Sequence, residues 1–142
     1  MSTASIHETR NQIFDRARLL IDLDEATDPS SSPSVFVVVG LRCVGDVDDL
    51  LVELRHRFAA GVGPLGTTYT TRGTELCAII ERTDGLDAVL DAIRRDLEAA
   101  AGARVFVASG RAELPREACD AIAVLALADQ RLTAATGAVR FD

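Results

Sequence analysis

The stretch TYTTRGTELCAII, residues 68–80, reads as two strands folded about a tight turn. β-Branched and aromatic residues dominate both arms, which suits a pleated surface. Arg72-Gly73-Thr74 separates them. Gly73 can supply the positive φ that a short hairpin turn needs. An antiparallel hairpin is therefore expected, with strands over residues 67–71 and 75–80. Thr67, Thr68, Thr70 and Thr71 fit its half-exposed face.

Working outward toward the N-terminus, Gly61, Gly63, Pro64 and Gly66 mark a loop. Leu50, Leu51, Leu54 and Phe58 recur at helical spacing, so residues 47–60 should form a helix. Residues 35–41 are an unbroken apolar run, as expected of a strand buried on both faces. Residues 27–34, rich in Pro and Ser, read as a loop. Ser5-Ile6-His7-Glu8 is a capping-box pattern, and it predicts a helix over residues 5–26.

Toward the C-terminus, Asp84 is placed to cap a helix carrying Leu86, Val89, Leu90, Ile93 and Leu97. Residues 103–109 form a further strand. Pro115 suits the first turn of a last helix, which should stop before Gly137. Residues 138–141 complete the chain as a short edge strand. The order is α-β-α-β-β-α-β-α-β. The fold class is α+β, with a ferredoxin-like βαββαβ core preceded by a helix and followed by an extra helix and strand. One domain is expected over residues 1–142, with its core at 35–142.

Composition narrows the function. The chain has 142 residues, of which 48% are apolar, enough for a real core. Its net charge is -7. An acidic surface repels phosphate chains, so no nucleic-acid partner is expected, and no basic helix is available for a membrane surface. The longest apolar runs are too short to span a bilayer. The N-terminus is polar, without a secretory signal, and Cys43, Cys77 and Cys119 are too few and too scattered for a disulfide framework. A cytoplasmic protein with reduced, packed thiols is expected. All 15 cations are Arg. Without lysine, no Schiff base, lysine general base or P-loop lysine can form.

Three segments, in order, carry a resemblance. The hairpin at 68–80 is similar to the Gly-Gly-Asp/Glu-Glu-Phe hairpin of the GGDEF (diguanylate cyclase) family. VFVASGRAELP, residues 105–115, resembles the family strand that ends in Ser-Ile-Gly-Val-Ala. ALADQRLTAATGAVRF, residues 126–141, resembles the closing Ala-Asp-x-Ala-Leu-Tyr-x-Ala-Lys helix and last strand. The resemblance spans about residues 5 to 142. In that family two GTP-loaded domains face each other, and paired carboxylates hold divalent metal against the triphosphate.

Residue by residue, the resemblance implies a degenerate member. The carboxylate ending the first family strand falls at Gly40, and the second family Asp at Arg42. The signature becomes Arg72, Gly73, Thr74, Glu75 and Leu76, in which only Gly73 and the metal-binding Glu75 persist. The segment that carries a guanine-reading Asn is shortened, and Asp48 falls at the place of the guanine-contacting Asp. The phosphate-binding Lys falls at Thr136. The inhibitory Arg-x-x-Asp falls on Gly63 and Gly66. Asp48, Gly73 and Glu75 are thus the candidate residual ligand-binding residues, and no catalytic residue, metal or cofactor is expected.

Each candidate also has a plain reading. Glu75 can be a strand-end carboxylate paired with Arg72, and Asp46, Asp48 and Asp49 can be helix N-terminal acids. His7 and His56 lack suitably spaced partners for metal or acid–base work. The expected function is a catalytically silent, pseudoenzyme-type module. It would act by contact with a protein partner or with itself as a homodimer, in bacterial cyclic-dinucleotide signalling. A degenerate sensor of GTP or cyclic di-GMP is the alternative. An unrelated ferredoxin-like small-molecule binding module is the second, and an active cyclase the last.

Overall fold

The computed structural model describes residues 12–72 and 74–140. Its central strand is β2, Ser34–Cys43. Val35 to Val39 are nearly solvent-free, so both faces of β2 are covered, as its unbroken apolar run predicts. On one side lies β4, Glu75–Glu81, antiparallel, with Gly40 opposite Glu75. On the other lies β5, Val105–Leu114, also antiparallel. β3, Gly66–Arg72, pairs with β4 as the expected hairpin. A two-residue strand, β1 (Ile13–Phe14), adds to β3 in parallel. The sheet order is β1-β3-β4-β2-β5. Without β1, this is the ferredoxin-like arrangement expected from the sequence.

Side chains alternate across a strand, so the sheet feeds two cores. Val35, Val37, Val39 and Leu41 pack against α2 (Asp48–Val62) and α3 (Leu86–Ala101). Phe36 and Val38 pack against α1 (Arg16–Ala26) and α4 (Ala121–Arg140).

Several expected boundaries are corrected. The capping box and His7 lie outside the described residues. Ile13 and Phe14, expected in a helix, form β1. The reason is Asp15, whose side chain accepts the Arg18 N–H at 3.0 Å and starts α1 at Arg16. The segment is fastened by side chains as well. The Tyr69 hydroxyl donates to Asp22 at 2.5 Å, Arg18 grips the same carboxylate, and Arg18 also lies 4.6 Å from the Phe14 ring centroid. Consequently Thr68 and Tyr69 are buried, while Thr67, Thr70 and Thr71 are half-buried as expected of the hairpin.

Asp84 does not cap α3; Gly85 holds that position at φ 79°. β5 runs on to Leu114, because its register with β2 continues to Ser34. Pro115 follows a cis peptide bond rather than opening a helix. α4 starts at Ala121, where two carboxylates satisfy free N–H groups. Asp120 accepts from Ala123 at 2.8 Å and Asp24 of α1 accepts from Ala121 at 3.0 Å. At its far end α4 runs through Gly137 to Arg140. The closing strand expected over 138–141 is therefore absent at 138–140, and Phe141 lies outside the described residues. Ala and Arg favour helix strongly, and one interior Gly costs only about 1 kcal/mol.

The seat of α4 is Gly110. A Cβ there would lie 2.5 Å from the Ala128 carbonyl oxygen and 2.6 Å from the Leu132 nitrogen. These are backbone atoms and cannot turn aside. At Gly40 a Cβ would meet only Leu132 methyl groups, at 3.2 Å. Gly110→Ala should therefore cost about 3 kcal/mol and Gly40→Ala about 1 kcal/mol or less, read from urea unfolding midpoints. Equal losses at the two positions would contradict this packing.

Beyond β5 the chain is tied to α4 by charge. Arg131 grips both oxygens of Glu117, at 2.9 and 2.8 Å, and also donates to the Arg111 carbonyl at 2.7 Å. Glu117 in turn accepts the Glu113 N–H at 2.8 Å. Arg131 first, and then that N–H, hold the Glu117 carboxyl down at about 2, against an ordinary 4.5. A depressed carboxylate stabilises the fold fully above its unfolded value and loses the effect as pH falls through its folded value. Between pH 4.5 and 2 the wild type should lose stability more steeply than Glu117→Gln. Because the pair is partly exposed, the variant should be weaker by only about 1 kcal/mol at neutral pH. Parallel pH-stability curves for the two proteins would refute the assignment.

Candidate functional site

The hairpin end holds the signature-like residues. The pairing of β3 with β4 shifts register between Thr70 and Arg72, and Arg72 stands opposite Glu75. Gly73, with the positive φ expected of it, lies outside the described residues. The Thr74 carbonyl accepts the Leu41 N–H at 2.8 Å, which binds the turn to the end of β2. Glu75 is half-buried and accepts a hydrogen bond from the Thr71 hydroxyl at 3.1 Å. Leu76 points to the opposite face and is a core residue beside Ala78 and Ile80.

Glu75 and Gly40 are direct partners across the β2–β4 ladder. The two positions that the resemblance assigns to metal-binding carboxylates therefore adjoin. Only one carries a side chain. Above Gly40, Leu132 of α4 fills the space where a second carboxylate would begin. Arg42 lies two residues on, exposed and opposite Phe106, and it does not reach Glu75 as an ion pair.

Glu75 lines a cavity of ≈ 400 Å³ between α1 and α4. Its charged walls are Arg16, Glu75 and Asp129, with Thr71 beside them and Leu125 and Cys77 inside. The Cys77 thiol is pushed up to about 12, chiefly by burial, so it stays protonated and unreactive at neutral pH. Cys43 is half-buried, but Cys119 is exposed, contrary to the expectation of uniformly packed thiols.

Asp48 stands elsewhere. It opens α2 with Asp49, two acids in the first turn that suit the positive end of the helix dipole. With Asp46, Asp49 and Arg104 it lines a separate open cavity of ≈ 470 Å³. The structure therefore does not bring Asp48 and Glu75 into one pocket. The connection from β2 to α2 is only residues 44–47, with Gly45 at φ 78°, which matches the shortened segment noted in the sequence.

The glycines at the inhibitory-motif positions serve the backbone. Gly63 has φ 51°, and a Cβ on Gly66 would lie 2.2 Å from the Ile79 carbonyl oxygen. His56 is exposed on α2. Thr136 falls within α4. Among the described residues no three His, Cys, Asp or Glu gather as a metal site. Sequence reading missed Arg16 and Asp129, since only the crossing of α1 and α4 above the sheet brings them near Glu75. No helix among the described residues is long and apolar enough to cross a membrane.

No protein-family model matches this chain, and no curated protein matches it. Solved structures do. The FimX GGDEF domain from Pseudomonas aeruginosa superposes with a TM-score of 0.75 at 16% identity, covering 91% of this chain and 92% of that one. The active GGEEF domain of a diguanylate cyclase from Vibrio cholerae gives 0.72 at 16%, covering 89% and 93%. The diguanylate cyclase SiaD from Pseudomonas aeruginosa, in complex with its activator SiaC, gives 0.73 at 20%, covering 95% of this chain and 59% of that one. Identities this low speak for architecture, and together with the hairpin and sheet order they establish that the chain has the fold of a GGDEF domain.

Proposed function

We propose that this is a degenerate GGDEF-fold domain that makes no cyclic dinucleotide and works through contact with protein. The observation that carries this reading is the pairing of Glu75 with Gly40 beneath Leu132. Divalent cations such as Mg²⁺ need several oxygen ligands in a fixed array. Here one carboxylate remains, it is engaged by Thr71, and the place of its partner is filled by hydrocarbon. These residues do not fit a catalytic metal. No lysine exists to meet a triphosphate, and Asp48 lies in a different cavity. In this reading the whole chain is one regulatory module, whose partner is another protein or a second copy. SiaD, 59% of whose length this chain covers, is in complex with the activator protein SiaC, which favours a protein as the class of partner.

Incubation with GTP and Mg²⁺ or Mn²⁺ should yield no cyclic di-GMP, and isothermal titration with GTP, GDP and cyclic di-GMP should give no heat. Product in the first assay would overturn the proposal, and Mg²⁺-dependent heat in the second would favour a nucleotide sensor. Loss of function here is not confined to one loop. A graft of Gly-Gly-Glu-Glu-Phe over residues 72–76 should therefore leave product undetectable, and a graft that forms cyclic di-GMP would refute that view.

A further inference from the structure

Arg16 opens α1, and no local interaction accounts for a cation there. The helix dipole disfavours positive charge at that end. Among the described residues the Arg16 guanidinium forms no ion pair or hydrogen bond, and neither does the Asp129 carboxylate in the middle of α4. Glu75 engages the Thr71 hydroxyl through one oxygen, Oε1, and is likewise in no ion pair among those residues. All three charges line the ≈ 400 Å³ cavity between α1 and α4, yet they do not pair with one another.

The floor beneath these charges is apolar. Phe36, Val38, Cys77 and Ala128 are almost wholly buried there, and Leu125 is half-buried. Burial dominates the high value of the Cys77 thiol, but Thr71, Glu75 and Arg16 act on it too, so these groups stand around one point of the floor. Ile122 lies at the mouth, 67% exposed. The volume falls within the roughly 300–1,000 Å³ of small-molecule sites, which combine an apolar lining with a few placed polar groups.

We infer that this cavity binds a free α-amino acid with an apolar side chain. The charges decide the class. An anion alone, phosphate included, meets two carboxylates against one guanidinium and is repelled. An amine alone is set beside Arg16, a like charge, and leaves it unpaired. A molecule of both signs satisfies every wall. Its ammonium lies between Glu75 and Asp129, and its carboxylate lies on Arg16, whose fork of N–H groups can hold both oxygens. The side chain then rests on Phe36, Val38 and Leu125, beside Ile122, and its burial adds the hydrophobic part of the affinity. Such a site needs neither metal nor triphosphate. It goes beyond the protein-contact reading, and either can fail without the other.

Titration of the full chain with L-leucine and with L-phenylalanine tests it. At least one should give saturable heat and raise the thermal unfolding midpoint below about 10 mM. Neither signal from either amino acid would overturn the proposal. The amide of the one that binds lacks the carboxylate, and its N-acetyl derivative lacks the ammonium. Each should bind at least roughly tenfold more weakly. Equal binding of the amide would remove Arg16 from the site, and equal binding of the N-acetyl derivative would remove the two acids; either result refutes recognition of both charges. Arg16→Gln and Asp129→Asn, both at exposed positions, should fold and each weaken binding roughly tenfold. Arg95→Gln, at an exposed position on α3, should bind as the wild type does. Wild-type affinity in both cavity variants, or equal weakening in all three, would overturn the site. Should neither cavity variant fold, the comparison of analogues on the wild type decides alone.

Discussion

The contact between the α4 backbone and Gly110 sets most of what this molecule can do. Only a residue without a side chain lets the Ala128 carbonyl and the Leu132 nitrogen rest directly on the sheet. That close seat fixes the rotation of α4 about its axis. Leu132 is thereby aimed over Gly40, Asp129 toward the cavity beside Glu75, and Arg131 around the rim of β5. One helix position thus determines the cover over Gly40, the charge beside Glu75, and the closing of β5 at Arg111. Asp24 and Asp120 pin the start of the same helix, so its position along the sheet is set as well.

The residues around Glu75 stand on an intact sheet frame. The ladder still sets position 40 against position 75, and the hairpin keeps its strands. Hydrocarbon from Leu132 covers the strand at Gly40, which is favourable because burying a methyl group stabilises whereas desolvating a charge is costly. Gly63 and Gly66 serve a turn and a close backbone approach. Arg16, Glu75 and Asp129 give the neighbouring cavity a mixed charge.

Much of the architecture was legible because its signals are local. The run at 35–41, the spacing of Leu50, Leu54 and Phe58, and the hairpin all appear in the structure near their expected bounds. The misreadings fall where a distant partner overrides a local preference. Ile13 and Phe14 fit a helix until Thr68 and Tyr69 offer them a strand to join. Pro115 suits a helix start until Asp120 and Asp24 satisfy the free N–H groups several residues later. For the site, the absence of acids at Gly40 and Thr74 was readable as residue identity. The separation of Asp48 from Glu75 was not.

The sequence by itself determined the order of the core elements from β2 to β5, the lack of lysine and the presence of one carboxylate, Glu75, in the signature-like turn. These depend only on which residues are present and how they are spaced along the chain. Tertiary structure alone decided that Leu132 covers Gly40, that Asp48 and Glu75 line different cavities, and that Arg131 and Glu117 close the outer edge of β5 at 111–113. Each of those facts joins segments far apart in the chain through helix rotation and strand register. Such quantities follow from close packing across the whole sheet, and no local pattern of residues encodes them.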